Sequence, residues 1–173
     1  SAARFLYVLP NFQNPTGRVI PRARREALVQ AARTAGVPLL EDNPYGDLWF
    51  DAAPPPAMAS WWPEGSLYLG SFSKVLTPGF RLGYIVAPSE LMPKLLQAKQ
   101  ASDLHTPSFN QRVVHEVVRN GFLDRHVPTI RARYRISLQN RALQCLRIAA
   151  RIAGRASHQF LSRACPQRAA RAQ

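Results

Sequence analysis

Three short apolar segments, each followed directly by turn-forming residues, constrain the fold of this chain more than any other feature. They are residues 5–9 (FLYVL), 37–42 (VPLLED) and 66–73 (SLYLGSFS). Continuous apolar runs of this length, bounded by turn signals, are typical of buried strands. Between the first two, apolar residues at 23, 27, 28, 31, 32 and 35 follow helical spacing, and Gly36 is placed to end that helix. The pattern predicts a strand–helix–strand unit followed by a third strand.

The second half of the chain continues this alternation. Residues 81–88 (RLGYIVAP) predict a fourth strand. Ser89 is expected to cap a helix over about residues 90–102. Two more helices are expected, over residues 108–121 and from about residue 124 to beyond residue 143. This order predicts the α/β class, with a mostly parallel sheet covered by helices.

The formal net charge of +13 belongs to one end of the chain. Residues 1–124 carry 12 basic and 10 acidic side chains, whereas residues 125–173 carry 11 arginines and no acidic side chain. The net charge of the whole chain is therefore a misleading sign of nucleic-acid binding. We expect no nucleic-acid or membrane partner for the domain. For the basic end, an arm that binds nucleic acid or anionic membranes stays open as an alternative.

Cysteine and histidine usage points away from a metal site. Cys145 and Cys165 show neither metal-ligand spacing nor a disulfide framework, and the four histidines show no ligand spacing either. We therefore expect no metal and a reducing, cytoplasmic location. We also expect neither a membrane span nor a signal peptide, because the sequence shows no apolar run of the length or placement that either requires.

Polar side chains follow each of the three predicted strands. They are Asn14 after the first strand, Asp42 and Tyr45 after the second, and Ser71, Ser73 and Lys74 after the third. Because parallel sheets place ligands at the carboxyl ends of their strands, we expect these side chains to share one rim of the sheet. Arg81 follows seven residues after Lys74. The sequence therefore predicts a binding site at this rim.

The chemistry of these groups suits one kind of ligand. A lysine amine can attack an aldehyde and form a Schiff base. Two serine hydroxyls and a guanidinium, here Ser71, Ser73 and Arg81, suit a phosphate group. The carboxylate of Asp42 suits a protonated ring nitrogen. An aldehyde, a phosphate and a pyridine ring together describe pyridoxal 5′-phosphate, which a protein holds and tunes as an electron sink.

Taken singly, each residue has a simpler interpretation. Lys74 alone reads as a solvated loop lysine, and Asp42 as a turn cap, because Asp-Asn-Pro is turn chemistry. Trp49, Trp61 and Trp62 suggest ligand stacking, but packing is the favoured interpretation. It is the combination at three strand ends that favours a site.

Three segments carry a specific resemblance: residues 10–17 (PNFQNPTG), 39–50 (LLEDNPYGDLWF) and 70–88 (GSFSKVLTPGFRLGYIVAP). In this order and spacing they resemble the fold-type I, pyridoxal-phosphate-dependent aminotransferases of class I/II. The style of the segments is similar to the 2-aminoadipate/aromatic aminotransferase-like branch. The resemblance covers about residues 5–140.

The resemblance implies roles for the residues at matching positions. Lys74 would be the catalytic residue that binds the cofactor covalently and shuttles a proton. Asp42 would pair with the pyridine nitrogen, and Asn14 and Tyr45 would hydrogen-bond the phenolic oxygen. The phosphate contacts would be Ser71, Ser73 and Arg81. The implied reaction transfers an amino group from an amino acid to a 2-oxo acid, and the complete family member would be a homodimer.

The resemblance also implies parts that these residues lack, namely an N-terminal segment and a small domain. We expect residues 1–110 to form the C-terminal half of the large, cofactor-binding domain and residues 111–145 a helical segment leading to the small domain. Residues 146–173 read as an aberrant tail, with 8 alanines, 6 arginines and no acidic residue. A frameshift or truncation near residues 143–148 is our hypothesis, and an impaired or inactive copy is the expectation.

Two further functions stay open. One is the aminotransferase-like domain of a winged-helix transcription regulator, although NFQNPTG and EDNPYGD favour the enzyme branch. The other is a non-catalytic remnant, because half of a large domain leaves sheet edges and helix faces uncovered.

Overall fold

The computed structural model describes residues 3–138, 140 and 144. Its four strands form one sheet and lie side by side in the order in which they follow along the chain. They are β1 (Leu6–Val8), β2 (Leu39–Asp42), β3 (Ser66–Ser71) and β4 (Gly83–Val86). The first three strands are parallel, and β4 runs antiparallel to β3. The predicted α/β class with a mostly parallel sheet is confirmed.

The helix between β1 and β2, α1 (Arg22–Ala35), ends where the sequence predicts. Gly36 follows it with φ 64°, a left-handed conformation that glycine adopts without strain from a Cβ atom. Of the apolar residues with helical spacing, only Ala32 is buried and only Leu28 packs against the core as a partly buried residue. The buried residues of the helix are Arg25, Val29 and Ala32, whereas the alanines at 23, 27, 31 and 35 are exposed. Because exposed and buried alanines both follow helical spacing, the apolar pattern alone does not distinguish the residues that pack in the core.

The core lies between α1, one face of the sheet and the short 3-10 turn Met58–Ser60. Its buried members are Val8, Val29, Ala32, Leu39 and Met58. Trp61 and Trp62 pack against this cluster, and the guanidinium of Arg33 lies 5.7 Å from the centre of the Trp62 ring. The prediction of packing is confirmed for both of these tryptophans.

The opposite face of the sheet is largely uncovered, so the prediction of a buried strand is wrong for β1, and β4 is exposed as well. Tyr7 and Ile85 lie on this face and are exposed at 50% and 49% of their surface. The register places them there. Tyr7 pairs with Leu40, which pairs with Leu67 of β3. Leu69 lies two residues after Leu67 and therefore on the same face, and it pairs with Ile85.

The helices after the sheet are α2 (Met92–Asp103) and α3 (Ser108–Val118). The predicted cap at Ser89 is wrong. A 3-10 turn, Ser89–Leu91, is inserted before α2, so Ser89 is too far from the first helical N–H groups and donates to the Glu90 carboxylate at 3.1 Å instead. Gly121, with φ 66°, separates α3 from the next helical residues.

The chain divides into two compact units, residues 1–131 and 132–173. Residues 122–131 of the first unit are helical, and so are residues 132–138 of the second. Most of the predicted helix beyond residue 138 and the whole of the predicted tail lie outside the described residues. Among the described helices, none combines the length and the apolarity that a bilayer-spanning helix needs.

Candidate cofactor site

The carboxyl ends of β2 and β3 lie side by side. Their parallel register ends with Asp42 opposite Leu69. Directly after β2, the backbone N–H of Asn43 donates to the carbonyl oxygen of Leu69 at 3.0 Å. The loop after β2 therefore starts against the last part of β3, close to the turn that carries Lys74. Two of the three predicted polar loops meet at this rim.

The carboxylate of Asp42 is held by a tyrosine from the neighbouring strand. The Tyr7 hydroxyl donates to Asp42 Oδ2 at 2.5 Å. This hydrogen bond first, then burial, then the charges of Asp42 and Tyr45 raise the pKa of Tyr7 to about 12. The phenol therefore keeps its proton at neutral pH and remains a donor. Within residues 3–138, no other side chain donates to this carboxylate.

Lys74 lies in the turn that follows β3. The backbone N–H groups of Leu76 and Thr77 both donate to the carbonyl oxygen of Phe72, at 2.9 and 3.1 Å, which closes the turn. The next residue, Val75, is buried and anchors the turn, whereas Lys74 is exposed. Lys74 Nζ lies 5.9 Å from the centre of the Tyr45 ring. The structure thus brings the candidate lysine and Tyr45 together from two different loops.

The candidate phosphate-binding residues are only partly assembled. Ser71 Oγ accepts a hydrogen bond from the backbone N–H of Ser73 at 3.1 Å, which leaves the Ser71 hydroxyl proton available for another acceptor. Arg81 is exposed and follows the 3-10 turn Pro78–Phe80 in a left-handed conformation, with φ 50°. Within residues 3–138, no side-chain hydrogen bond joins Arg81 to either serine.

Asn14 lies in the tight loop after β1. The loop is closed by Gly17, whose backbone N–H donates to the carbonyl oxygen of Gln13, and Gly17 has φ 68°. The peptide bond between Asn14 and Pro15 is cis. The Asn14 side chain is exposed, and among residues 3–138 it makes no hydrogen bond to Asp42 or Tyr45.

A chain of amides connects the loop after β1 with the loop after β2. Asn11 Nδ2 donates to Asn43 Oδ1 at 2.9 Å, and Asn43 Nδ2 donates to the Tyr68 hydroxyl at 2.7 Å. Asn11 is buried and Asn43 half-buried. Burial also raises the pKa of Tyr68. Asn43 directly follows Asp42, so this network fixes the backbone beside the candidate ring-nitrogen contact.

Arg25 of α1 supports this network through a hydrogen bond to Asn11. Its guanidinium is fully buried, which lowers the pKa of Arg25, while the negative charge of Glu41 acts in the opposite direction. It donates to Asn11 Oδ1 at 2.5 Å. It also donates to four backbone carbonyl oxygens, those of Pro10, Ile20, Pro55 and Pro56. One buried cation thereby ties α1 to both ends of the first loop and to the Pro-rich segment.

Sequence reasoning missed Tyr7, Asn11, Arg25 and Asn43. Arg25 had a detectable signal, because it lies four and seven residues before the apolar Val29 and Ala32, on one helical face. Tyr7 had none, since its contact with Asp42 depends on the register between β1 and β2. Both asparagines lie within the segments that carry the resemblance, but the resemblance implies a role for Asn14 alone.

The donors of this rim fit pyridoxal 5′-phosphate. The fit rests on the chemistry of the set: an amine on Lys74, a fixed carboxylate on Asp42 and a free hydroxyl proton on Ser71. These groups come from loops that the sheet and the amide network hold in place. Among the described residues, no cluster of three or more His, Cys, Asp or Glu is arranged to hold a metal ion.

A mostly parallel α/β sheet with a lysine, a fixed carboxylate and hydroxyls at its strand ends fits the class of pyridoxal-phosphate-binding proteins. The comparisons agree: the family model "Aminotransferase class I and II" matches residues 2–154. The chain therefore belongs to the class I and II aminotransferase family.

Individual relatives include both enzymes and regulators. The chain is 45% identical to 2-aminoadipate transaminase of Thermus thermophilus, over 79% of this chain and 35% of that protein. It is 34% identical to the HTH-type transcriptional regulator YisV of Bacillus subtilis, over 74% of this chain and 27% of that protein. The chain thus spans about a third of the length of the curated relatives it matches.

A solved structure gives the same picture. The crystal structure of α-aminoadipate aminotransferase LysN from Thermus thermophilus, complexed with N-(5′-phosphopyridoxyl)-L-leucine, matches with a TM-score of 0.73 and 44% identity. The match covers 78% of this chain and 36% of that chain. The fold is therefore that of part of a fold-type I aminotransferase.

Proposed function

We propose that this chain is the cofactor-binding part of an aminotransferase that transfers an amino group between an amino acid and a 2-oxo acid. The observation that carries the proposal is the convergence at one rim of the fixed Asp42 carboxylate and the Lys74 amine beside Tyr45. When bound, pyridoxal 5′-phosphate supplies a ring that withdraws electrons from the Cα atom of the attached amino acid.

The residues of this chain would hold the cofactor at several atoms. Asp42 would accept a hydrogen bond from the protonated ring nitrogen and keep that proton in place. Tyr45 and Asn14 would donate to the phenolic oxygen. Lys74 would anchor the cofactor through its amine and, once released, take and return the proton at the substrate Cα atom.

The phosphate would be held by Ser71, Ser73 and Arg81. The Ser71 hydroxyl has a free proton because its oxygen accepts from the Ser73 N–H, and the Arg81 guanidinium is exposed to a ligand. A planar guanidinium can donate two parallel hydrogen bonds to a phosphate. These three groups come from one stretch of chain, so the phosphate would lie between β3 and the start of β4.

The remaining features belong to the complete protein. We propose amino acid and 2-oxo acid substrates, a homodimer and a cytoplasmic location. The named substrate of the Thermus thermophilus relative makes 2-aminoadipate the first amino acid to assay. We also propose that residues 1–110 belong to the large domain, residues 111–145 lead to the small domain, and residues 146–173 are a tail outside both.

A titration with pyridoxal 5′-phosphate tests the proposal. We expect the absorbance of the lysine-bound cofactor to appear with the parent chain and to be lost in Lys74→Ala. Lys94→Ala is the matched control, because Lys94 is an exposed lysine of α2 that bonds Gln97. Equal absorbance in the parent and Lys74→Ala would refute the assignment of Lys74.

A regulatory domain is the second candidate, favoured by the match to a transcription regulator. Such a domain would bind the cofactor without turnover. The two are separated by adding 2-aminoadipate to the cofactor-loaded chain and measuring the 2-oxo acid released. Stoichiometric release favours the enzyme, whereas bound cofactor without 2-oxo acid is the outcome expected both of a regulatory domain and of a non-catalytic remnant.

A further inference from the structure

The side chain that fixes Asp42 lies on another strand and is none of the predicted cofactor contacts. We propose that Tyr7 is a positioning residue of the cofactor site: its hydroxyl holds one oxygen of the Asp42 carboxylate, so that the other oxygen meets the ring nitrogen of pyridoxal 5′-phosphate. This inference rests on the proposed function.

The register explains why Tyr7 reaches this carboxylate. Tyr7 pairs with Leu40, and Asp42 lies two residues further along β2, so all three side chains leave the sheet on the same face. A tyrosine side chain is long enough to extend towards the carboxyl ends of the strands, and it ends 2.5 Å from Asp42 Oδ2.

Packing gives Tyr7 no competing role. It lies on the face opposite to the core and is 50% exposed. The buried neighbour on β1, Val8, belongs to the core, whereas Tyr7 does not. The specific contact of Tyr7 is therefore made by its hydroxyl and not by its ring, whereas Val8 of the same strand contributes to the core.

The hydrogen bond has a defined direction. The hydrogen bond to Asp42 first, then burial, then the charges of Asp42 and Tyr45 raise the pKa of Tyr7 and keep its phenol protonated. A protonated phenol donates, so Asp42 presents acceptor oxygens. Acceptor oxygens are what a protonated ring nitrogen needs. Without this hydrogen bond the half-buried carboxylate would be free to rotate. Fixing it in advance removes the entropy cost of ordering the carboxylate from the free energy of cofactor binding.

A double-mutant cycle on the full chain tests this role, with pyridoxal 5′-phosphate as the probe. We expect Tyr7→Phe to weaken cofactor binding roughly fivefold, about the effect of one hydrogen bond to a charged group at a half-exposed site. In the Asp42→Ala background, Tyr7→Phe is expected to change nothing further. Tyr134→Phe is the control, since it removes a hydroxyl from an exposed tyrosine outside the sheet and outside the candidate site.

A titration without cofactor tests the contact itself. Subtracting the tyrosinate absorbance curve of Tyr7→Phe from that of the parent isolates Tyr7. We expect a pKa of about 12 in the parent and a value near the ordinary 10.0 in Asp42→Asn. A Tyr7 pKa that does not respond to Asp42→Asn would overturn the contact and the inference.

The outcomes separate the two proposals. Cofactor binding by the parent with no loss in Tyr7→Phe, or an equal loss in the Asp42→Ala background, overturns the role of Tyr7 and leaves the proposed function standing. No cofactor binding by the parent overturns the proposed function and the role of Tyr7 with it. A loss that depends on Asp42, together with the titration shift, supports both.

Discussion

Replacement of Arg25 by methionine is the sharpest test of how the site is supported. The guanidinium donates five hydrogen bonds, to Asn11 Oδ1 and to the carbonyl oxygens of four other residues, at 2.5 to 3.3 Å. Methionine fills a similar volume but donates none. The change therefore removes the partners of buried acceptors without creating a large cavity.

The magnitude follows from which acceptors find a substitute. The Pro10 carbonyl oxygen keeps a hydrogen bond from the Ile20 backbone N–H at 2.8 Å. Pro56 is exposed, so water can replace the guanidinium there. Asn11, Ile20 and Pro55 each lose a partner. At about 1 kcal/mol for each unpaired acceptor, the free energy of unfolding falls by about 3 kcal/mol.

Urea unfolding of the full chain, followed by tryptophan fluorescence, measures this change. Arg24→Met is the matched control, because Arg24 is the neighbouring, exposed arginine of α1, and we expect its effect to stay within about 0.5 kcal/mol. Arg25→Lys is expected to fall between the two, since one ammonium group replaces only part of the planar fork. Equal stability of Arg25→Met and Arg24→Met would refute the role of Arg25.

Two further predictions concern stability. The folded chain raises the pKa of Tyr7 from 10.0 to about 12, so the unfolded chain loses this proton first as the pH rises. The stability advantage of the parent over Tyr7→Phe should therefore be constant below pH 10.0 and shrink towards pH 12. A constant difference across that range would contradict the Asp42 contact. Gly36→Ala should lower the free energy of unfolding by about 1 kcal/mol. The cost is backbone strain alone, because φ is 64° and an added Cβ has open space around it. Gly36→Asn should cost less, and a larger loss with asparagine than with alanine would be inconsistent with that cause.

The strand–helix–strand order and the positions of the strand-end residues were predictable, because they follow from local apolar runs and turn residues. The loops after β2 and β3 indeed meet, and Lys74 lies beside Tyr45. What sequence could not supply is the relation between strands. The contact between Tyr7 and Asp42 exists because Tyr7 pairs with Leu40, two residues before Asp42, so that both side chains lie on the same face of the sheet.

Two local predictions failed for identifiable reasons. Exposed alanines of α1 were counted in its apolar pattern because they follow the same spacing as Leu28 and Ala32, which pack against or in the core. The buried arginine, Arg25, occupies a core position that an apolar pattern excludes by definition. The cap at Ser89 failed because a 3-10 turn and a helix have the same sequence signals at their start, and the turn takes up three residues before α2.

Borohydride reduction of the chain incubated with pyridoxal 5′-phosphate, followed by peptide mass spectrometry, tests the central claim most directly. The chain contains three lysines, Lys74, Lys94 and Lys99, so the position of a pyridoxyl group is readily assigned. We expect a single pyridoxyl group, attached to Lys74, at a stoichiometric concentration of cofactor. A chain without modification, or one in which Lys94 and Lys99 are modified as readily as Lys74, would contradict this expectation.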